Sequence, residues 1–335
     1  YTTLFLILGL QLPYLPLWLE SQGLSATQIS VILAIPMAVR IGATPAMTFI
    51  ADRLPGPGVA ILLYSAATAV LYFGYHLSDG FWAIAIVTVC VSIFLNPLMP
   101  ITEATAMRGA RLYAVDYGRI RLWGSLSFIA ANIVGGAIVA RAGGPGALIA
   151  LNVAAVLTAL AALTLPRRDE GVDRAETGSD IHRATFRELL GLLRLPGFAG
   201  VLVGSGLIQA SHAFYYAFGS ISWVAEGISP ATIGLLWAVG VLVEVGLFAV
   251  SSRVLALIGV RGLFAAGVIA ALVRWTLMVW VWPAAAYFPI QMLHALTFGA
   301  THLATMNYLS QSAPDRHGNG AQGLYFTVYG AMTGL

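Results

Sequence analysis

Apolar residues run along this 335-residue chain in long, nearly unbroken blocks separated by short polar punctuation. Reading the blocks between Gly, Pro, Ser and Asp turn signals gives eleven, roughly 1–19, 27–50, 59–78, 81–106, 121–140, 146–165, 197–222, 229–250, 262–282, 285–312 and 322–335. A helix that crosses a bilayer needs about 20 apolar residues, and the complete blocks supply them. Their continuity excludes the alternating pattern of a membrane β-barrel. The pattern predicts an all-α, polytopic membrane protein with about eleven helices, the first and last of them truncated.

One connection differs from the rest. Residues 166–196 are polar, with six arginines and six acids, and end in Phe186-Arg187-Glu188-Leu189-Leu190, which reads as a short interfacial helix. The stretch divides the chain into an N-terminal six-helix half, 1–165, a linker, 166–196, and an incomplete C-terminal half, 197–335.

Composition sharpens the class. Charged residues make up 9% and hydrophobic residues 59%, whereas a soluble domain carries about 25% charged residues. That supply cannot clothe a water-exposed surface of this size, which excludes a soluble enzyme. The basic balance of +3 comes from 17 arginines and no lysine, dispersed between apolar runs, and nucleic-acid binding is excluded on that ground. Cys90 is the one cysteine, so no internal disulfide is available.

Orientation follows from the arginines. The loops after the second, fourth, sixth, eighth and tenth blocks hold 14 of them and the opposite loops hold one, Arg141; Arg40 and Arg274 stand inside blocks. The linker is therefore expected in the cytoplasm, in a bacterial inner membrane, and the chain is expected to be monomeric.

The halves repeat. Residues 23–42 align without gaps on residues 227–246, with Gly, Ser, Ile, Ala, Val and Gly identical at 23, 25, 29, 34, 39 and 42. Arg40 then aligns with Glu244. Parallel six-helix pseudo-repeats are the ground plan of transporters that rock around a midplane site.

Ionisable residues inside a bilayer are expensive and face the bundle interior. Arg40, Glu103, Glu244 and Arg274 stand well inside blocks, joined by His212, His294 and His302. His294 and His302 lie eight residues apart, about 80° around and 12 Å along a regular helix, too far to share one metal ion. No metal or hydrolytic motif is present, and no cofactor is expected. The run from His212 to Phe218 puts rings all round the seventh block, and Tyr215 and Tyr216 are its candidates for contact with a solute.

Asp116-Tyr-Gly-Arg-Ile-Arg-Leu-Trp-Gly-Ser125 resembles the loop before the fifth helix in the major facilitator superfamily, in its branch of phenylpropionate permease, lactose permease and nucleoside–proton symporters. HAFYYAF at 212–218, GLLWAVGVLVEV at 234–245, ALVRW at 271–275 and LHALTFGATHLATMNYL at 293–309 extend the phenylpropionate-type resemblance along the whole chain. By that resemblance the substrate-binding acid and arginine of lactose permease match Glu103 and Arg121, with the same 18-residue separation. Its helix 8 glutamate, helix 9 arginine and helix 10 histidine match Glu244, Arg274 and His294. The acid that releases the proton there is Thr297 here, and a lysine three residues before the histidine is Gln291. Asp52-Arg53 survives from the loop motif after helix 2, with Thr48 and Pro55 where glycines are usual.

The resemblance implies a major facilitator fold and a proton-coupled symporter of a small organic solute by alternating access, an aryl carboxylate favoured. Glu103, Arg121, Arg40, Tyr215 and Tyr216 would bind solute. Glu244, Arg274, His294 and His302 would couple the proton. A sugar or nucleoside symporter and a drug exporter on the same fold are the alternatives.

Overall fold

The computed structural model of the protein describes residues 1–51, 53–113, 117–166, 191–195 and 197–312, together with Tyr325, 328–330 and Met332. At 107, 108, 110–112, 117–119, 121 and 310 the description is of backbone alone. The expected interfacial helix at 186–190 and most of the block at 322–335 lie outside the described residues.

Among the described residues every regular element is a helix. In chain order these are α1 (Thr2–Ser21), α2 (Ala26–Ala51), α3 (Pro57–Phe73), α4 (Gly80–Leu112), α5 (Tyr117–Ala162), α6 (Phe198–Ala210) and α7 (Ala213–Ala225). They continue with α8 (Pro230–Ala249), α9 (Ser251–Leu277), α10 (Ala284–Met292) and α11 (Thr301–Ser312), a π-turn at Ala295–Ala300 joining the last two. Seven of the described helical stretches are long and apolar enough to cross a membrane.

Two of the long helices are really pairs. α5 turns at Gly143 (φ 62°, ψ −157°) and α9 at Gly259 (φ 64°, ψ −178°). A side chain disfavours positive φ, so glycine lets the chain turn a corner there. The first corner separates the blocks expected at 121–140 and 146–165. The seventh block is interrupted by a turn at Ser211 and His212, which a hydropathy pattern does not reveal.

The chain forms two compact units, 1–172 with 216–238, and 173–215 with 239–335. In the first, α1 packs along α5, α2 lies on α4, and α3 touches both α4 and α5. Close approach rests on small residues: a Cβ on Gly135 would stand 2.5 Å from the Tyr14 ring and 2.6 Å from Leu10. The start of α8 crosses α5 in the same way, since a Cβ on Gly136 would meet the Pro230 carbonyl at 2.5 Å and one on Gly234 would meet the Tyr14 hydroxyl at 2.6 Å. Tyr14, fully buried, donates its hydroxyl to the Asn132 carbonyl at 2.6 Å. In the second unit, α9 packs on the π-turn and α11, and α6 packs on α11.

The repeat is visible locally. Gly23 and Gly227 both take positive φ (73° and 83°) just before α2 and α8. Ser25 then accepts from the Gln28 amide at 3.3 Å, while the Gln28 side chain accepts from the Ser25 amide at 2.9 Å. Ser229 accepts from the Thr232 amide at 3.2 Å. Both helices start on a serine that satisfies an otherwise orphaned amide.

Burial runs opposite to that of a soluble domain. Ser65, Thr68, Thr88, Asn132 and Asn152 are buried, while Leu77, Trp82 and Val70 are 87%, 77% and 71% exposed. Large apolar side chains on the outside and polar ones within suit a hydrocarbon surround.

Candidate functional site

Arg274, near the C-terminal end of α9, is 0% exposed. Its Nη2 donates to Gln291 Oε1 at 2.8 Å, and its Nη1 lies 3.1 Å from both His294 Nδ1 and Thr297 Oγ1. The Gln291 amide faces the other way, with Nε2 3.8 Å from the Met278 sulfur, which presents its oxygen to the guanidinium. Two neighbouring rings lie against the cation, Tyr215 at 4.9 Å and Trp275 at 4.7 Å from ring centre to Cζ. Trp275 is itself fixed by donating Nε1 to Ser211 Oγ at 2.8 Å.

His294 carries the site onward. Its Nε2 lies 3.3 Å from Glu244 Oε2, on α8. A guanidinium only donates, so His294 Nδ1 accepts from Arg274 and the ring proton resides on Nε2, directed at the Glu244 carboxylate. The imidazole thus bridges base and acid. Packing leaves little slack here: a Cβ on Gly240 would sit 3.3 Å from His294 Cβ, and one on Gly299 would sit 3.1 Å from Glu244 Cγ.

The π-turn changes the expected spacing on this helix. Its wider i→i+5 loops rotate each residue less than the ~100° of an α-helix. The ring of His294 stacks on Phe298 at 5.3 Å and 19°, and Phe298 stacks on His302 at 6.4 Å and 14°. The two histidines form one column with a phenyl ring between them, where regular-helix geometry gives an offset of about 80°.

Of the residues expected to couple the proton, Glu244, Arg274 and His294 are drawn together, and His302 joins through Phe298. Of those expected to bind solute, Tyr215 joins the same cluster. Tyr216 belongs to the other unit and stacks on Trp237 at 5.9 Å and 26°. Glu103 is half-buried on α4 and accepts the Tyr1 hydroxyl at 2.6 Å, while Arg40 is exposed on α2. The Arg121 side chain lies outside the described residues. Among the described residues no group of three His, Cys, Asp or Glu is placed to hold a metal.

Gln291, Thr297 and Trp275 enter the site without having been singled out as binding groups. The signal was present: Gln291 and Thr297 stand three residues either side of His294, on one helix face, and Trp275 adjoins Arg274.

Helices wrapped in apolar surface, a local repeat and a buried cluster of ionisable groups fit a polytopic membrane transporter. A family model described as the MFS_1-like family matches residues 1–335. The chain belongs to this family, a branch of the major facilitator superfamily. It is 30% identical over 321 residues to a probable 3-phenylpropionic acid transporter of Escherichia coli (strain K12), covering 92% of this chain and 80% of that protein. It is 26% identical over 336 residues to the maltose permease of Geobacillus stearothermophilus, covering 98% and 82%. The crystal structure of the nucleoside transporter NupG superposes with a TM-score of 0.79 at 15% identity, over 99% of this chain and 86% of that one. That of a bacterial homologue of the lysosomal transporter Spinster gives 0.78 at 15%, over 99% and 78%. The chain is a multi-pass membrane transporter of the major facilitator type, not an enzyme.

Proposed function

We propose that this transporter carries a small aryl carboxylate together with a proton. The observation that carries the reading is Arg274, fully buried, in contact with Tyr215 and Trp275 and joined through His294 to Glu244. A guanidinium presents a planar fork that matches a carboxylate bidentately. The two aromatic rings beside it suit an arene attached to that carboxylate.

The acid supplies the coupling. With Glu244 ionised, a negative charge sits one imidazole away from Arg274 and competes with a solute carboxylate for it. With Glu244 protonated, that competition ends and the guanidinium attracts the solute. Each ligand then raises the affinity of the other by the same factor, the condition for symport. His302, next along the column, tunes the exchange or replaces Glu244 in it. The likeness to the 3-phenylpropionic acid transporter points to the same substrate class.

Glu103, Arg121, Arg40 and Tyr216 are assigned to solute contact on resemblance and placement inside spans. The linker is assigned to the cytoplasmic side of a bacterial inner membrane, and the working unit is a monomer. A sugar is the second reading, because the maltose permease is also similar over nearly the whole chain.

Uptake into proteoliposomes made with the full-length protein tests this. Labelled 3-phenylpropionate should accumulate under an inward proton gradient and only equilibrate without one. Accumulation of maltose or a nucleoside in its place, or equal accumulation without a gradient, rejects the reading.

A further inference from the structure

His212 takes no part in the coupling described above, yet it is 0% exposed, at the turn between α6 and α7, and both of its ring nitrogens are engaged. Nδ1 lies 3.0 Å from the Ile208 carbonyl oxygen. A carbonyl only accepts, so Nδ1 carries the ring proton. In the neutral ring Nε2 is then an acceptor, and Thr297 Oγ1, 2.9 Å away, donates to it. A hydroxyl has one proton. With that proton directed at His212, the lone pairs of Thr297 are left for Arg274 Nη1 at 3.1 Å.

The Thr297 hydroxyl has a second acceptor in reach, the His294 carbonyl oxygen at 3.3 Å. Donation there reorients its lone pairs. The residue therefore has two hydrogen-bond settings, and His212 selects one of them.

We propose that His212 is a positioning residue for the Arg274 site, orienting the Thr297 hydroxyl toward the guanidinium and tying the occupancy of Arg274 to the turn between α6 and α7. The assignment rests on reading Arg274 as the anion-binding group. Ser211 reinforces the connection, because its hydroxyl bonds both the Ile208 carbonyl at 2.6 Å and the indole of Trp275, the ring beside Arg274. A solute carboxylate bound while Nη1 keeps its contact with Thr297 is thereby tied to the turn. α7 leaves that turn, and its residues from Tyr216 onward belong to the other unit.

The variants separate this role from a purely structural one. In His212→Asn the amide can keep the bond to Ile208 but falls short of Thr297, and His212→Gln reaches Thr297. Thr297→Val removes the hydroxyl at constant shape, and Thr297→Ser keeps it. In the full-length protein, His212→Asn and Thr297→Val should each raise KM for 3-phenylpropionate about five- to tenfold, the scale of one lost hydrogen bond, with little change in kcat. The double variant should be no worse than either single one, because both break the same contact. His212→Gln and Thr297→Ser should stay near the parent.

A second measurement does not depend on transport. Nitrogen NMR of labelled imidazole rings, in the full-length protein in lipid nanodiscs, should show His212 protonated on Nδ1. Its Nε2 resonance should move in Thr297→Val and in Arg274→Gln but hold in Thr297→Ser. An Nε2 resonance unmoved in Thr297→Val, or strictly additive effects on KM, overturns the assignment. If the parent takes up no 3-phenylpropionate, the substrate reading fails and the nitrogen resonances alone decide the role of His212.

Discussion

Glu244 and Arg274 are joined through a single imidazole: His294 Nε2 lies 3.3 Å from the carboxylate and Nδ1 lies 3.1 Å from the guanidinium. One ring thus lies between an acid on α8 and a base on α9. In the proposed coupling, neutralising the acid changes what the base attracts.

Glu244→Gln tests that link, since the amide stands in for a permanently protonated acid. It should lose gradient-driven accumulation of 3-phenylpropionate yet keep exchange of internal for external solute, which needs no deprotonation. Uptake and counterflow measured side by side in proteoliposomes give the answer. Accumulation against a gradient by this variant would move the proton to the histidines, His302 first.

Arg274→Lys keeps the charge and discards the fork. Nη1 and Nη2 together serve Gln291, His294 and Thr297, and a lysine ammonium cannot reproduce that planar arrangement or the contacts with the two neighbouring rings. Charge-assisted hydrogen bonds contribute about 1.5–3 kcal/mol each. The variant should therefore lose at least about a hundredfold in kcat/KM for 3-phenylpropionate, a loss of ~2.7 kcal/mol. Retention of bidentate-type affinity in a binding isotherm would remove Arg274 as the anion site.

The crossing of α5 with the start of α8 tolerates no side chain. Gly136→Val and Gly234→Val each force atoms into the Pro230 carbonyl or the Tyr14 hydroxyl, and overpacking of this kind costs roughly 1–3 kcal/mol. Both should lower the thermal midpoint of the detergent-solubilised protein. Gly246→Ala on the same helix, where nothing lies within 4 Å of the added Cβ, should leave it unchanged or raise it. Equal midpoints for Gly234→Val and Gly246→Ala would show that the crossing is looser than drawn.

Much of this architecture is legible in the sequence because a bilayer leaves so few options. The 23–42 and 227–246 repeat carries its own punctuation, and Gly23, Ser25, Gly227 and Ser229 form the same start in the structure. Arg274, Glu244 and His294 stand out because charge inside an apolar run is expensive. What escapes is geometry that leaves hydropathy unchanged. The turn at Ser211 and His212 and the π-turn at Ala295–Ala300 sit inside apolar blocks, and nothing in the composition announces either. Gln291 and Thr297 were hidden differently: set against lactose permease they look like lost function, although both hydrogen bond to Arg274.

The orientation of the chain is the last expectation open to test. Arginine is costly to translocate, and short loops rich in it stay on the cytoplasmic side. With 14 arginines in one set of loops and Arg141 alone in the other, the linker at 166–196 should face the cytoplasm. A cysteine at Ser179, with Cys90 replaced by serine, should resist a membrane-impermeant maleimide in intact cells and react once the membrane is permeabilised. A cysteine at Asp79, between α3 and α4, should behave in the opposite way and react in intact cells. Two positions with opposite expectations separate an inverted topology from a reagent that merely fails to reach its target. Labelling of Ser179→Cys but not Asp79→Cys in intact cells would invert the protein, and with it the side from which the proposed coupling draws its proton.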